Sequence, residues 1–132
     1  MSKNYVYFNP NPDAKLDKKT GKPKRWNKGD CVIRAFCGAL GLNWSTVFHE
    51  MCIIAAKEFD MPNSRRVIDI YAKQKGLKKI SLPEYMTISR FAETHNGVYV
   101  ANLRSHVVCI KNNSINDCWD CGGYKMKTYY VK

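Results

Sequence analysis

The chain has 132 residues and a formal charge of +11, with 22 Lys and Arg against 11 Asp and Glu, and 45% of it is hydrophobic. One domain with a single core suits that length, and the apolar fraction excludes wholesale disorder. The longest apolar run, Met51 to Ala56, is far too short to cross a bilayer, so no membrane partner is expected.

Met1-Ser2-Lys3-Asn4 leads into an aromatic run and not into an apolar signal core, which makes the cytoplasm the expected compartment. Six cysteines, Cys31, Cys37, Cys52, Cys109, Cys118 and Cys121, are therefore read as thiols and not as disulfides. Cys118 and Cys121 have CxxC spacing, but no second ligand pair stands at zinc-binding distance in sequence, and Gly122-Gly123 follows where a redox motif needs a helix. No metal and no cofactor is expected.

In chain order, Tyr5 to Phe8 is a short strand closed by Asn9-Pro10-Asn11-Pro12. Ala14 to Asn27 has no period and reads as a long loop. Lys15, Lys18, Lys19, Lys22, Lys24, Arg25 and Lys28 make it a basic patch, which attracts an acidic protein or nucleic acid if it is more than a solvated loop. A helix is predicted from Cys31 to Leu40, with Val32, Ile33, Phe36 and Leu40 on its apolar stripe and Gly41 as its stop. A second runs from Trp44 to Phe59 behind an Asn43 cap, its apolar face formed by Val47, Phe48, Met51, Ile54 and Ala55. Ser64 caps a third, Arg65 to Lys75, and Gly76 stops it.

Lys79 to Leu82 is a short extended piece broken at Pro83, and Thr87 caps a fourth helix, Ile88 to Thr94. From Val98 the period changes to two. Strands are predicted at Val98 to Leu103, His106 to Ile110, Ile115 to Trp119 and Lys125 to Val131. The class is thus α+β: a strand and basic loop over 1–28, a helical half over 29–96 and an antiparallel meander over 97–132, in one domain.

The stretch Trp26-Asn27-Lys28-Gly29-Asp30-Cys31 carries the chemistry. Asp30 is placed to cap the helix, which sets Cys31 on the first turn, where the macrodipole and unpaired N–H groups favour a thiolate. A small buried hydrophobe is the ordinary role of such a cysteine. Two residues far down the chain argue for more. If Lys111 to Ser114 is the hairpin loop, Ile110 pairs with Ile115, Val108 with Asp117 and His106 with Trp119. Asp117 then shares the face of His106, one diagonal of roughly 7–8 Å away. Asp120 and Asn116 point to the other face, and a three-residue loop would exchange Asp117 for Asp120.

A nucleophilic Cys31, a general base His106 and an orienting Asp117 make up an activated thiol. The Cys31 N–H, with the side chain of Asn27 or else Arg25, is the expected oxyanion donor set. Trp26 and Trp119 are expected walls. His49, in the second helix, and His95, at the end of the fourth, need no chemical role.

With Asp30-Cys31-Val32-Ile33-Arg34-Ala35 opening a helix, and Ser105-His106-Val107-Val108 followed by Ile115-Asn116-Asp117-Cys118-Trp119-Asp120, residues 26 to 131 resemble the papain-like cysteine peptidase superfamily. The likeness is to the small single-domain type of phages and bacteria, similar to bacteriocin-processing peptidases. It implies cleavage of a peptide, isopeptide or related amide bond in a peptide or protein substrate, without a metal, in the host cytoplasm if a phage encodes it. One departure stands out: that superfamily usually carries a glutamine before the nucleophile, and this loop has none, the position falling near Arg25. The competing reading is an idle papain-like scaffold that binds nucleic acid or an acidic host protein, as a phage inhibitor would.

Overall fold

Caps written into the sequence start three helices: the side chains of Asn43, Ser64 and Thr87 accept from the N–H groups of Thr46, Val67 and Arg90. In the computed structural model, which describes residues 2–132, the order is β1 (Tyr5–Tyr7), α1 (Cys31–Leu40), α2 (Trp44–Glu58), α3 (Arg65–Gln74), β2 (Lys78–Thr87), α4 (Ile88–Thr94), β3 (Val98–Asn102), β4 (Val107–Lys111), β5 (Ser114–Asp117) and β6 (Lys125–Val131). Gly41, at φ 69°, stops α1 in the left-handed conformation that its missing Cβ permits.

The strands form one six-stranded mixed sheet in the order β1-β5-β4-β3-β6-β2. The class is α+β, as expected, but the C-terminal half is not a plain antiparallel meander. β3, β4 and β5 are one; β6 then returns to pair with β3, and β1 adds a parallel edge on β5.

The expected break at Pro83 does not occur either, since β2 runs through it and the stretch 29–96 is not purely helical. β2 is an edge strand, and its register on β6 shifts between Ser81 and Met86, so the missing N–H of Pro83 lies outside the ladder.

The period of two has a physical reason on both faces of the sheet. α1, α2 and α3 bury Phe36, Met51 and Tyr71 against Val100, Val107, Cys109 and Tyr130. α4 buries Ile88 and Phe91 against Ala101, Val108, Ile110 and Ile115 on the other face. α1 is therefore covered on nearly all sides, and its burial runs unbroken from Val32 to Gly38, not as a stripe. Phe48 of α2 departs from expectation by staying partly exposed and stacking on Trp44 at 5.0 Å. Among the described residues, no single helix is long and apolar enough to cross a membrane.

Candidate active site

The site sits where α1 begins, β4 begins and β5 ends, and close packing sets that meeting. A Cβ on Gly38 would lie 2.9 Å from the Cys109 sulfur and 3.1 Å from its Cβ, so only glycine lets α1 come this near β4. Back from that contact, Cys31 is two helical turns away and His106 three strand residues away, about 10 Å in both directions. The thiol and the imidazole arrive together for that reason. The Cys31 thiol is close enough to the His106 ring and the Val107 N–H for both to act on its charge.

Asp117 comes to the same point through the β4–β5 hairpin. The pairing Ile110↔Ile115 is the expected one, but Lys111 and Ser114 also pair, leaving a two-residue turn of Asn112 and Asn113 at φ 53° and 64°. Asparagine tolerates that conformation better than most residues.

His106 itself stands just before β4, in a turn closed by the Leu103 N–H to the His106 carbonyl at 2.8 Å. Its Nε2 meets Asp117 Oδ2 at 2.5 Å. Nδ1 is then the nitrogen left for the thiol. Asp117 is 2% exposed, and its carbonyl accepts from the Phe8 N–H at 2.8 Å and the Tyr5 hydroxyl at 3.1 Å, so β1 clamps it in place.

The same geometry resolves the choice between acids. Asp120 turns away, accepting from the Ser2 N–H at 2.5 Å and the Gly122 N–H at 2.9 Å. β5 ends at Asp117, so Trp119 lies outside the strand it was assigned to, yet its ring packs 4.8 Å from that of His106 as a wall.

Arg34 is the residue that sequence reasoning missed. One turn after Cys31, it is 5% exposed and donates from Nη1 to Asp117 Oδ1 and from Nε to Asp30 Oδ1, the latter at 2.9 Å. The signal was present: an arginine inside an otherwise apolar helix, four residues after an aspartate, must bury its charge against a partner.

Asp30 departs from expectation as well, making no side-chain cap. Its carboxylate accepts instead from Asn11 Nδ2 at 3.0 Å and from Trp26 Nε1, Trp44 Nε1 and Arg34 Nε at 2.9 Å each. A backbone at φ −108°, ψ 22° lies outside the extended region a capping residue adopts, and better donors occupy both oxygens. The result is a buried knot tying the loop before Cys31 to α1 and α2. Trp26 is thus an anchor of that loop.

Electrostatics favour a charged pair at the thiol. Burial alone would raise the Cys31 pKa, but bonding to and the charge of His106, the Val107 N–H and the charge of Arg34 together pull it below the usual thiol value. Burial likewise disfavours a charged His106, yet the hydrogen bond to Asp117 and the contact with Cys31 raise it to about 9. Burial pushes Cys37 and Cys118 up to about 11 and Cys109 and Cys121 up to about 12, the reverse of Cys31. All six cysteines are free. The buried carboxylate of Asp30 stays below its usual range because its Asn11, Trp26, Arg34 and Trp44 bonds outweigh the cost of burial.

The remaining expected donors lie on the surface. Asn27 and Arg25 are exposed, and Arg25 borders a groove with Trp26, Cys118 and Trp119. The first bond of the α1 ladder runs from the Arg34 N–H to the Asp30 carbonyl at 3.0 Å, so the Cys31 N–H is not spent inside the helix.

The loop lysines Lys15, Lys18, Lys19, Lys22, Lys24 and Lys28 are all exposed, and Lys28 pairs with Asp13. His49 is exposed, and His95 stacks on Phe91 at 3.9 Å, away from the thiol. His106, Asp117 and Cys121 bring ligand atoms within 4.8 Å of one another. The Arg34 guanidinium already holds Asp117 and would repel a cation, so this trio is a poor metal set.

What this arrangement can do is hold a thiolate beside an imidazolium whose far nitrogen is fixed by a buried carboxylate. Compared with family models, curated proteins and solved structures, the chain matches none.

Proposed function

We propose that the protein is a cysteine-dependent hydrolase of a peptide, isopeptide or related amide bond, similar in plan to the papain-like peptidases. The observation that carries the reading is the convergence of Cys31 at the start of α1, His106 just before β4 and Asp117 at the end of β5. Sγ of Cys31 attacks the acyl carbon, and the Cys31 N–H faces the oxyanion that forms. The C–N bond breaks as His106 gives its proton to the leaving nitrogen, which leaves a thioester. A water molecule, deprotonated by His106, then releases the acid and restores the thiol. Asp117 keeps Nε2 protonated throughout, so Nδ1 is the nitrogen that exchanges protons.

The test is covalent trapping. A peptide aldehyde should add to Cys31 as a thiohemiacetal, seen by intact-mass and peptide mapping, and should fail with Cys31→Ala and His106→Ala. Equal adduct formation in His106→Ala would contradict the reading.

A further inference from the structure

Two depressions border the His106–Trp119 pair, and another adjoins one of them. One, of about 360 Å³, is formed by Leu103, Arg104, Ser105, His106, Trp119 and Tyr124. Through Leu103, Arg104 and Tyr124 it opens into a second of about 870 Å³, where Arg65, Lys79, Lys125 and Lys127 contribute the charge. On the other side of Trp119 lies a third, of about 560 Å³, to which Lys22, Lys24 and Arg25 contribute. Among the described residues, no Asp or Glu lines any of the three. Lys79 is answered by Asp69 at 3.2 Å, while Lys127 lies over the Tyr85 ring. Positive charge therefore flanks the imidazole on both sides instead of being confined to the loop before the nucleophile.

We infer that this groove selects an acidic polypeptide, with Asp or Glu residues on both sides of the bond presented to Cys31. The inference rests on reading Cys31 as the nucleophile of an acyl transfer. Cations lining a concave surface concentrate an anionic chain and orient it. A polypeptide is the occupant because the groove borders the partner of a thiol, and a thiol acts on acyl carbons, which the phosphodiester backbone of a nucleic acid lacks. Trp119 and Tyr124 give the apolar floor between the charged ends.

The experiment uses the full chain and a fluorescein-labelled glutamate-rich peptide, with a lysine-rich peptide and a single-stranded oligonucleotide alongside, read by anisotropy and by the rate at which iodoacetamide labels Cys31. The acidic peptide should bind, lose affinity with salt, and slow the labelling. Lys125→Glu/Lys127→Glu should weaken it on the order of tenfold. Lys57→Glu/Lys73→Glu, the same charge change on the exposed helical side, should have little effect.

No binding of the acidic peptide, binding without protection of Cys31, or equal losses in both double variants would overturn the inference. So would an oligonucleotide that displaces the peptide and loses affinity in the groove variant. If instead the peptide binds and protects while Cys31 labels no faster than in His106→Ala, the groove's preference for an acidic polypeptide stands as binding alone and the hydrolase reading fails.

Discussion

Arg34 of α1 reaches Asp117 of β5, 83 residues away in sequence, and joins the helix carrying the thiol to the strand carrying the acid. Both groups are almost fully buried, at 5% and 2% side-chain exposure. Removing one member of a buried pair strands the other charge and costs about 3–5 kcal/mol. Arg34→Met should therefore lower the thermal midpoint steeply and slow Cys31 alkylation. Arg34→Lys, which keeps the charge but cannot bond two carboxylates as a planar fork, should fall between. A midpoint unchanged in Arg34→Met would mean that the pair does not hold the two halves together.

The raised pKa of His106 gives a pH signature. Its value of about 9 stands above the ordinary 6.5, and the group is charged when protonated. The stability it contributes is therefore fully present below about 6.5 and disappears as the pH rises through about 9. The stability gap between wild type and His106→Gln should close over that window. Asp117→Asn removes the largest raising influence, so the ring titration followed by NMR should move down, and Cys31→Ala should move it down less.

Gly38 tests the packing that sets the site. Gly38→Ala forces a methyl group against the Cys109 sulfur, and overpacking of this kind costs about 1–3 kcal/mol. The expected readout is a slower reaction of Cys31 with iodoacetamide, as α1 lifts from β4 and the thiol leaves the ring. Adding Cys109→Ala should restore part of the rate.

Much of this arrangement could be read before any coordinates. The caps at Asn43, Ser64 and Thr87 were legible because each side chain answers an N–H three residues ahead, a local matter. The pairing of Ile110 with Ile115, and with it the preference for Asp117 over Asp120, followed from side-chain parity across one hairpin. What escaped was non-local. The return of β6 to β3 and the parallel β1–β5 edge are choices between strands of similar composition, and nothing near either strand fixes its neighbour. Asp30 suited a cap, but Trp26 and Arg34, each four residues away, and Trp44 of α2 outcompeted the helix for it. Pro83 looked like a break because its position at a sheet edge depends on the whole fold.

The most direct measurement is the order in which limiting iodoacetamide labels the six cysteines at mildly acidic pH, mapped by mass spectrometry. Cys31 should be modified first, well ahead of the half-buried Cys52 and Cys118, and should lose that lead in His106→Ala. Labelling of Cys31 at the pace of the other partly exposed thiols, or a lead that survives loss of the imidazole, would contradict the claim that His106 activates it.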